Sequence, residues 1–432
     1  MKIAIVGTGY QGLVAGTCLA EAGHQVTCVE EDAARVAALQ AGDIPFHEPG
    51  LDELLNRNLE EERLVFSTDL VAAVRDCLSI LFCVNPPVDE SGAVDTSGLL
   101  ALAAAVAKSM PGYRLFINKG ACPPGTARAL EATFAENTTQ PFDVIVNPDF
   151  LKAGKAIDDF MQPDRVIVGC EDVRVQELIR EIYSPFLRTG RPILFMSQTS
   201  AEMTKYATNV MLASRISMMN QLADICGVVG ADIAQVREGL ASDSRIGSTF
   251  LFPGLGFAGV HLPGDVDACI RFAEAHGVNP DLIRAVKAVN LRRQDDFENQ
   301  ILGHYGEKIG EKTIALWGAT FKPRTDDIRG SIAVRIIDTL LDRGAIVRVH
   351  DPVATAALEA RYKGRIAVVA KPYDALEGAH GLVVATEWNN YRRPLFARMA
   401  ELMAERVIFD GRNLYTPRDA EAEGFTYYGV GR

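Results

Sequence analysis

Three glycines near the start of the chain have the spacing of a dinucleotide-binding turn. They form a G-x-G-x-x-G pattern directly after an apolar strand pattern and directly before a helical one. In such a turn the first glycine permits the tight bend, the second lets a pyrophosphate approach the backbone, and the third lets the helix pack on the strand. The N–H groups of the helix N-terminus then face the phosphates. The predicted cofactor site therefore contains Gly7, Gly9, Tyr10, Gln11 and Gly12.

Glu30 predicts which dinucleotide is bound. It follows the second strand pattern, which covers residues 25–29. An acid at this position accepts hydrogen bonds from both ribose hydroxyls and repels a 2′-phosphate, which favours NAD over NADP. A glycine turn without a ligand is the alternative that the pattern leaves open.

The elements that must position these residues alternate between strand and helix in both halves of the chain. Strands are predicted at 2–6, 25–29, 79–84, 114–118, 144–146, 166–169, 313–317, 345–350, 381–386 and 407–410. Helices are predicted at 11–22, 32–40, 199–227, 231–241, 265–277, 280–302 and 331–343. Strands alternating with helices are typical of parallel sheets. We therefore predict an α/β protein with two Rossmann-like doubly wound parallel-sheet domains, joined by a long central helix and divided at 1–198, 199–300 and 301–432.

Composition excludes several classes of protein. The 432 residues carry a net charge of −12, which argues against a nucleic-acid or anionic-membrane partner. No apolar run approaches the roughly 20 residues that span a bilayer, and the N-terminus lacks a signal-peptide layout, so we expect a cytoplasmic protein. The eight cysteines form no C-x-x-C pair and the seven histidines show no metal-ligand spacing. We expect reduced, mostly buried thiols and no metal site.

Ordered motifs along the whole chain resemble those of the UDP-glucose 6-dehydrogenase family. The resemblance implies an NAD-binding first domain, a central dimerisation and substrate region, and a UDP-sugar-binding last domain. The matching motifs are Glu48-Pro49-Gly50-Leu51, Asn147-Pro148-Asp149-Phe150-Leu151, Pro163-Asp164-Arg165, Glu202-Met203-x-Lys205-Tyr206-Ala207-x-Asn209, Asp243-x-Arg245-Ile246-Gly247, the segment 253–266, Phe321-Lys322-x-x-Thr325-Asp326-Asp327-x-Arg329, Asp351-Pro352, Thr386-Glu387-Trp388 and Asp410-Gly411-Arg412-Asn413.

The resemblance also implies roles for individual residues. Lys205 stabilises an alkoxide, Asn209 hydrogen-bonds the same oxygen, and Asp265, expected in the first turn of its helix, holds a water or accepts a proton. Lys205 and Asn209 are an i, i+4 pair and share one face of a helix, for which a solvated surface is the alternative explanation. The resemblance also places Lys119 and Arg329 among the predicted cofactor-binding residues.

The segment 253–266 departs from the family pattern at its central position. The family places a nucleophilic cysteine where this chain has His261. The lysine, glutamate and threonine that accompany the thiol chemistry are replaced by Gly264, Ala153 and Ala121, and another glutamate is shortened to Asp149. The resemblance therefore implies an intact hydride-transfer site and a lost thioester step.

Three roles for His261 stay open. It can act as a general base, because a helix N-terminus disfavours the imidazolium and keeps the ring neutral near neutral pH. It can attack an aldehyde in place of the thiolate, although the adduct is a poor one. It can also simply fill the space of the thiol.

The remaining predicted residues bind the sugar nucleotide. Arginine suits bidentate phosphate contacts, and Arg245 can reach a neighbouring subunit, although Arg245 and Arg329 fit structural ion pairs equally well. The predicted substrate-binding residues are Asp149, Phe150, Leu151, Lys152, Arg245, Phe250, Phe257, Gly259, Lys322 and Arg412.

These features predict an NAD-dependent dehydrogenase of a UDP-hexose, with UDP-glucose as the default substrate. We expect a single two-electron oxidation to a keto-sugar, for example a 4-keto sugar, or to a 6-aldehyde. The alternatives are a four-electron oxidation to the uronic acid and a non-catalytic protein that binds NAD and a UDP-sugar. The helix at 199–227 suggests a homodimer, and its apolar residues are equally compatible with ordinary core packing.

Overall fold

The computed structural model describes residues 1–89, 92–187 and 190–432. Contacts between residues divide the chain into two units, Met1–Thr208 and Asn209–Arg432. Each unit contains one sheet with helices packed on it, as the alternating pattern predicted. The division into three domains at 198 and 300 stays a prediction.

The first unit is built on a doubly wound sheet. Its strands are β1 (Lys2–Val6), β2 (Gln25–Val29), β3 (Leu64–Ser67), β4 (Ser79–Phe82), β5 (Arg114–Asn118), β6 (Phe142–Val146), β7 (Val166–Gly169) and β8 (Ile193–Met196). Its helices are α1 (Tyr10–Glu21), α2 (Ala33–Gln40), α3 (Leu51–Glu60), α4 (Leu70–Asp76), α5 (Ser97–Lys108), α6 (Thr126–Asn137), α7 (Ala156–Met161) and α8 (Val173–Tyr183). Within the described residues the strand order is β3-β2-β1-β4-β5-β6-β7-β8. The pairings are parallel except between β6 and β7.

Helix α9 (Gln198–Val229) begins in the first unit and ends in the second. The second unit continues with α10 (Ile233–Ser242), α11 (His261–Ala275), α12 (Asp281–Tyr305), α13 (Ile332–Asp342), α14 (Thr355–Tyr362), α15 (Phe396–Leu402) and α16 (Pro417–Ala422). Its strands are β9 (Thr313–Trp317), β10 (Ile346–His350), β11 (Ala367–Val368), β12 (Gly381–Val384), β13 (Val407–Asp410) and β14 (Thr426–Gly429). They pair in parallel in the order β11-β10-β9-β12-β13-β14.

If the strands of each unit are numbered from its first strand, both sheets contain the order 3-2-1-4-5-6. This order is that of a Rossmann fold and confirms the predicted Rossmann-like architecture. Helices cover both faces of such a sheet, so its central strands are apolar throughout. Ile3, Ala4 and Ile5 of β1 are fully buried, as are Ile314, Ala315 and Leu316 of β9. These continuous apolar runs explain why the central strands were visible in the sequence.

The strands that the sequence did not reveal are the sheet edges. They are β3, β8, β11 and β14, which end the two sheets among the described residues. Each is short, and its residues are half-buried or exposed except for the buried Leu64 and Phe66 of β3. An edge strand therefore lacks the continuous apolar run that marks a central strand.

The predicted start of one helix was wrong. The helical pattern suggested a start at residue 265, but α11 begins at His261, so Pro263 and Gly264 lie within its first turn. A proline in the first turn removes an N–H that has no partner within the helix, so the helix tolerates it there. His261 is therefore the first helical residue, and Asp265 lies in the second turn and not the first.

All eight cysteines are buried free thiols, which confirms the prediction for them. Among the described residues, no helix combines the length and the apolar character that crossing a membrane requires.

Candidate functional site

The nucleotide turn joins β1 to α1 in the first unit. Gly7 has φ +96°, and a Cβ at Gly12 would lie 1.9 Å from the carbonyl oxygen of Gly7, so both positions need glycine for the fold itself. A Cβ at Gly9 would instead meet no atom of the described residues within 4 Å. Protein packing therefore does not explain the glycine at this position. Open space beside the N-terminus of α1 suits the approach of a phosphate group.

Glu30 lies at the carboxyl end of β2, beside this turn. Its carboxylate accepts a hydrogen bond of 2.5 Å from Thr8 Oγ and lies 3.7 Å from Arg35 Nε. Arg35 also donates to the carbonyl oxygen of Thr8 at 2.7 Å. The side chain of Glu30 keeps 17% of its surface exposed, so it is available to a ribose at the position where an NAD-binding protein needs an acid.

Lys119 follows β5, and its ammonium group is buried inside the first unit. It donates to Asn147 Oδ1 at 2.9 Å and to the Tyr183 hydroxyl at 3.2 Å. Its carbonyl oxygen accepts a hydrogen bond of 2.7 Å from Gln11, which ties the nucleotide turn to this segment. The contacts of Lys119 therefore lie within the protein, and its place in the cofactor site stays a prediction.

The loop between β6 and α7, residues 147–155, carries several predicted substrate residues. Lys205 Nζ donates to the carbonyl oxygen of Asp149 at 2.8 Å and lies 3.4 Å from its carboxylate. The Phe150 ring packs against the Arg165 guanidinium, 4.1 Å from its centroid. This loop thus brings the predicted oxyanion group Lys205 together with a carboxylate in the first unit.

A cavity of about 80 Å³ lies beside the same loop. Leu151 and Lys152 contribute to its wall, and Lys152 pairs with Asp159 at 2.7 Å. The cavity is also lined by Lys119, Asn147, Asp149, Phe150 and Arg165. The predicted substrate residues of the first unit therefore share one pocket.

In the second unit, residues 253–260 form a glycine-rich loop, called here the glycine loop. Two buried asparagines hold it in place. Asn220 of α9 accepts a hydrogen bond of 2.8 Å from the Gly254 N–H. Asn290 of α12 accepts from the Phe257 N–H at 2.8 Å and donates to its carbonyl oxygen at 3.0 Å. We did not predict these asparagines, although a polar residue amid the apolar positions of a long helix was a signal.

The glycine loop packs on the carboxyl edge of the second sheet. The Gly259 N–H donates to the Gly330 carbonyl oxygen at 3.0 Å, and a Cβ at Gly259 would lie 2.9 Å from the Phe321 ring. A Cβ at Gly254 would lie 2.9 Å from the Gly411 carbonyl oxygen. The loop is therefore beside the segments that carry the predicted basic residues Lys322, Arg329 and Arg412.

His261 directly follows this loop and is exposed at the start of α11. Asp327 lies within electrostatic reach of it and is held by Arg329 through contacts of 2.9 and 2.8 Å. Burial raises the pKa of Asp327, but the hydrogen bonds and the charge of Arg329 bring it below its usual value. The ionised Asp327 carboxylate therefore lies within electrostatic reach of His261 in the second unit.

Asn209 and Asp265 are in direct contact in the second unit. The Asn209 amide donates a hydrogen bond to the Asp265 carboxylate, which connects α9 to α11. The structure thus pairs two of the four predicted catalytic residues. Lys205 stands four residues earlier on the continuous helix α9, within the first unit.

The other predicted substrate residues, all in the second unit, differ in their exposure to solvent and in their polar partners. Arg412 donates to the Ala385 carbonyl oxygen at 2.7 Å and lies 3.2 Å from Glu387. Arg245 pairs with Asp243 at 2.6 Å while 87% of its side chain stays exposed. Phe257 is buried, and Phe250 and Lys322 are half-buried, with Phe250 in the left-handed region at φ +57°.

Comparisons with known proteins agree with this arrangement of cofactor turn, long helix and second sheet. Three models of the UDP-glucose/GDP-mannose dehydrogenase family match the chain: the NAD binding domain at residues 1–187, the central domain at 199–292 and the UDP binding domain at 315–417. A UDP-glucose 6-dehydrogenase of Pseudomonas aeruginosa is 40% identical, over 100% of this chain and 98% of the relative. One of Rhizobium meliloti is 36% identical over the full length of both.

Solved structures show the same likeness. A UDP-glucose dehydrogenase from Pyrobaculum islandicum superposes with a TM-score of 0.90 at 32% identity, covering 100% of this chain and 97% of that one. Sequence and fold thus agree along the whole length. The chain belongs to the UDP-glucose/GDP-mannose dehydrogenase family of NAD-dependent oxidoreductases.

Proposed function

We propose that this enzyme oxidises a UDP-hexose once, by two electrons, and releases a keto-sugar or a 6-aldehyde. UDP-glucose is the default substrate, because the similar enzymes are named for it. In this proposal His261 occupies the position of the family's nucleophilic cysteine, and the protein has no group that forms a thioester.

The observation that carries the proposal is the burial of the cysteine thiols. All eight are buried, and burial raises the pKa of Cys83 and of Cys122 to about 12. Burial also raises the pKa of Cys269, the cysteine nearest to His261 along the chain. Because the thiolate is the nucleophile, a buried thiol with a raised pKa is a poor one near neutral pH. A second oxidation through a thioester therefore lacks its attacking group.

The groups that a first oxidation needs are present. Oxidation of an alcohol requires a base for the hydroxyl proton and a positive or donating group for the oxyanion. We assign the proton to His261, or to a water held by Asp265, and the oxyanion to Lys205 and Asn209. Asp265 is oriented by the amide of Asn209, which supports this assignment.

NAD, when bound, accepts the hydride that leaves the sugar carbon. The open space at Gly9, the N-terminus of α1 and the carboxylate of Glu30 fit its pyrophosphate and ribose. Lys322 and Arg412, at the carboxyl edge of the second sheet, are assigned to the sugar nucleotide, whose diphosphate attracts such cations.

A second candidate is the four-electron oxidation of UDP-glucose to UDP-glucuronate. The names of the similar enzymes favour it, since a 6-dehydrogenase acts at the primary alcohol. In this chain the aldehyde would have to be oxidised as its hydrate, with His261 as the base for both steps.

Product analysis separates the two candidates. The protein is incubated with NAD and a panel of UDP-hexoses, NADH is counted per sugar consumed, and the product is identified by mass spectrometry and NMR. One NADH and the loss of two hydrogens is the expected result. Two NADH and a uronic acid would refute the single oxidation, and ligand binding without NADH would indicate a protein that only binds.

The role of His261 is tested by His261→Ala, with His276→Ala near the other end of α11 as the matched control. Loss of a general base is expected to lower kcat by about 10²–10⁴-fold, and the control should leave it unchanged. Equal rates for the two variants would show that His261 only fills space.

We also propose that the enzyme is a homodimer that pairs through α9. Met211, Met218 and Ile225 recur every seven residues on this helix and are 65%, 57% and 54% exposed. Apolar residues at this spacing lie along one stripe of a helix, which is suited to a second copy of the same helix. Light scattering should report a dimer, and Met218→Glu should give monomers.

A further inference from the structure

Glu48 is a buried carboxylate that receives hydrogen bonds from two separate parts of the first unit. The Tyr10 hydroxyl donates to it at 2.5 Å, and the N–H groups of Gly154 and Ala156 donate at 2.6 and 2.8 Å. Only 5% of the Glu48 surface is exposed. A buried carboxylate with three directed donors holds all of them firmly, because such charge-assisted bonds are short and strong.

One of these donors belongs to the nucleotide turn. Tyr10 is the first residue of α1 and directly follows Gly9, so its backbone N–H is among those at the helix N-terminus. Its ring packs on Phe46 at a centroid distance of 5.0 Å. Burial and the neighbouring Glu48 raise the pKa of Tyr10, so its hydroxyl stays protonated and remains a donor.

The other two donors belong to the loop of residues 147–155 and the start of α7. The same loop presents the carbonyl oxygen of Asp149 to Lys205 at 2.8 Å. A continuous chain of contacts therefore leads from Tyr10 through Glu48 to the loop, and from the loop to the predicted oxyanion residue Lys205.

We propose that Glu48 is a positioning residue through which NAD binding at the nucleotide turn orders the 147–155 loop. When the dinucleotide fixes the N-terminus of α1, the Tyr10 hydroxyl is fixed with it, and Glu48 in turn fixes Gly154 and Ala156. The consequence for the substrate rests on the proposed function, in which this loop binds the sugar.

Tyr10→Phe tests the link, because it removes one hydroxyl and keeps both the ring and the backbone N–H. Tyr113→Phe is the matched control, since its hydroxyl also bonds a carboxylate, Asp143 at 2.8 Å, elsewhere in the first unit. Hydrogen–deuterium exchange of residues 149–161 is measured for the unmodified chain and both variants, with and without saturating NADH.

NADH is expected to slow exchange in this segment by about fivefold or more in the unmodified chain and in Tyr113→Phe, as for a typical coupling between sites. In Tyr10→Phe the slowing should disappear while NADH still binds. The same slowing in Tyr10→Phe, or none in the unmodified chain, would overturn the proposal. This measurement requires no sugar nucleotide, so its outcome is independent of the proposed reaction.

Steady-state kinetics give a second readout. If Glu48 orders the loop for the sugar, Tyr10→Phe should raise the KM for the UDP-hexose about tenfold at saturating NAD, while Tyr113→Phe should leave it unchanged. A structural brace alone would lower thermal stability without raising this KM, and an unchanged KM for the UDP-hexose in Tyr10→Phe would count against the proposal.

Discussion

The glycine at position 9 provides a sharp test of the cofactor site. In Gly9→Ala the new Cβ meets no atom of the described residues within 4 Å, and the backbone at φ −65° and ψ −174° is one that alanine adopts freely. Alanine at a compatible position stabilises a fold by about 0.4–1 kcal/mol, because it restricts the unfolded chain. Thermal stability should therefore stay the same or rise slightly.

NAD affinity should fall in the same variant. The methyl group would occupy the space through which a pyrophosphate reaches the backbone N–H groups of α1. Loss of one hydrogen bond to a charged phosphate costs about 1.5–3 kcal/mol, which corresponds to a Kd roughly 10–150-fold higher. Calorimetric titration with NAD and a thermal melt measure the two quantities.

Two further variants make the result decisive. Gly98→Ala, at an exposed position of α5 that is also open, should change neither quantity by much. Gly12→Ala, whose Cβ would lie 1.9 Å from the Gly7 carbonyl oxygen, should destabilise the fold by about 1–3 kcal/mol or more. If Gly9→Ala binds NAD as tightly as Gly98→Ala, the space above Gly9 is not the phosphate site.

Three other variants extend the test to the rest of the site. Glu30→Ala should increase kcat/KM with NADP, because it removes a negative charge and leaves Arg35 available to a 2′-phosphate. An unchanged preference for NAD would show that Glu30 does not select the dinucleotide. Asn290→Ala leaves the buried N–H of Phe257 without its side-chain acceptor and its carbonyl oxygen with only Gln294 at 3.4 Å, so the free energy of unfolding should fall by about 1–3 kcal/mol. The kcat/KM should fall as well, and chemical denaturation and kinetics measure the two effects. Lys205→Met should lower kcat about 10²–10³-fold in the NADH assay, and a small effect would remove Lys205 from the oxyanion site.

The central strands and the nucleotide turn were predictable because their signals are local. A strand buried on both faces must be apolar along its length, and a G-x-G-x-x-G turn requires glycine for backbone reasons at Gly7 and Gly12. The edge strands and the start of α11 were less visible, since partial exposure and an early proline weaken the same signals.

The polar contacts that hold the loops could not be read from the sequence. Asn220 and Asn290 hold the glycine loop from α9 and α12. Glu48 joins Tyr10, 38 residues before it, to Gly154, 106 residues after it. Each residue type is common on helices and in loops, and its partner is determined only when the chain is packed.

The sequence by itself determined the architecture, the nucleotide turn and the presence of His261 in the segment 253–266, because covalent order and backbone preference decide these features. The tertiary structure alone decided which groups meet. It paired Asn209 with Asp265, brought Asp327 near His261, and buried every thiol in surroundings that raise the pKa of Cys83 and Cys122 to about 12. Burial and long-range contacts depend on packing between elements that are distant in sequence. A local sequence pattern does not reveal such packing.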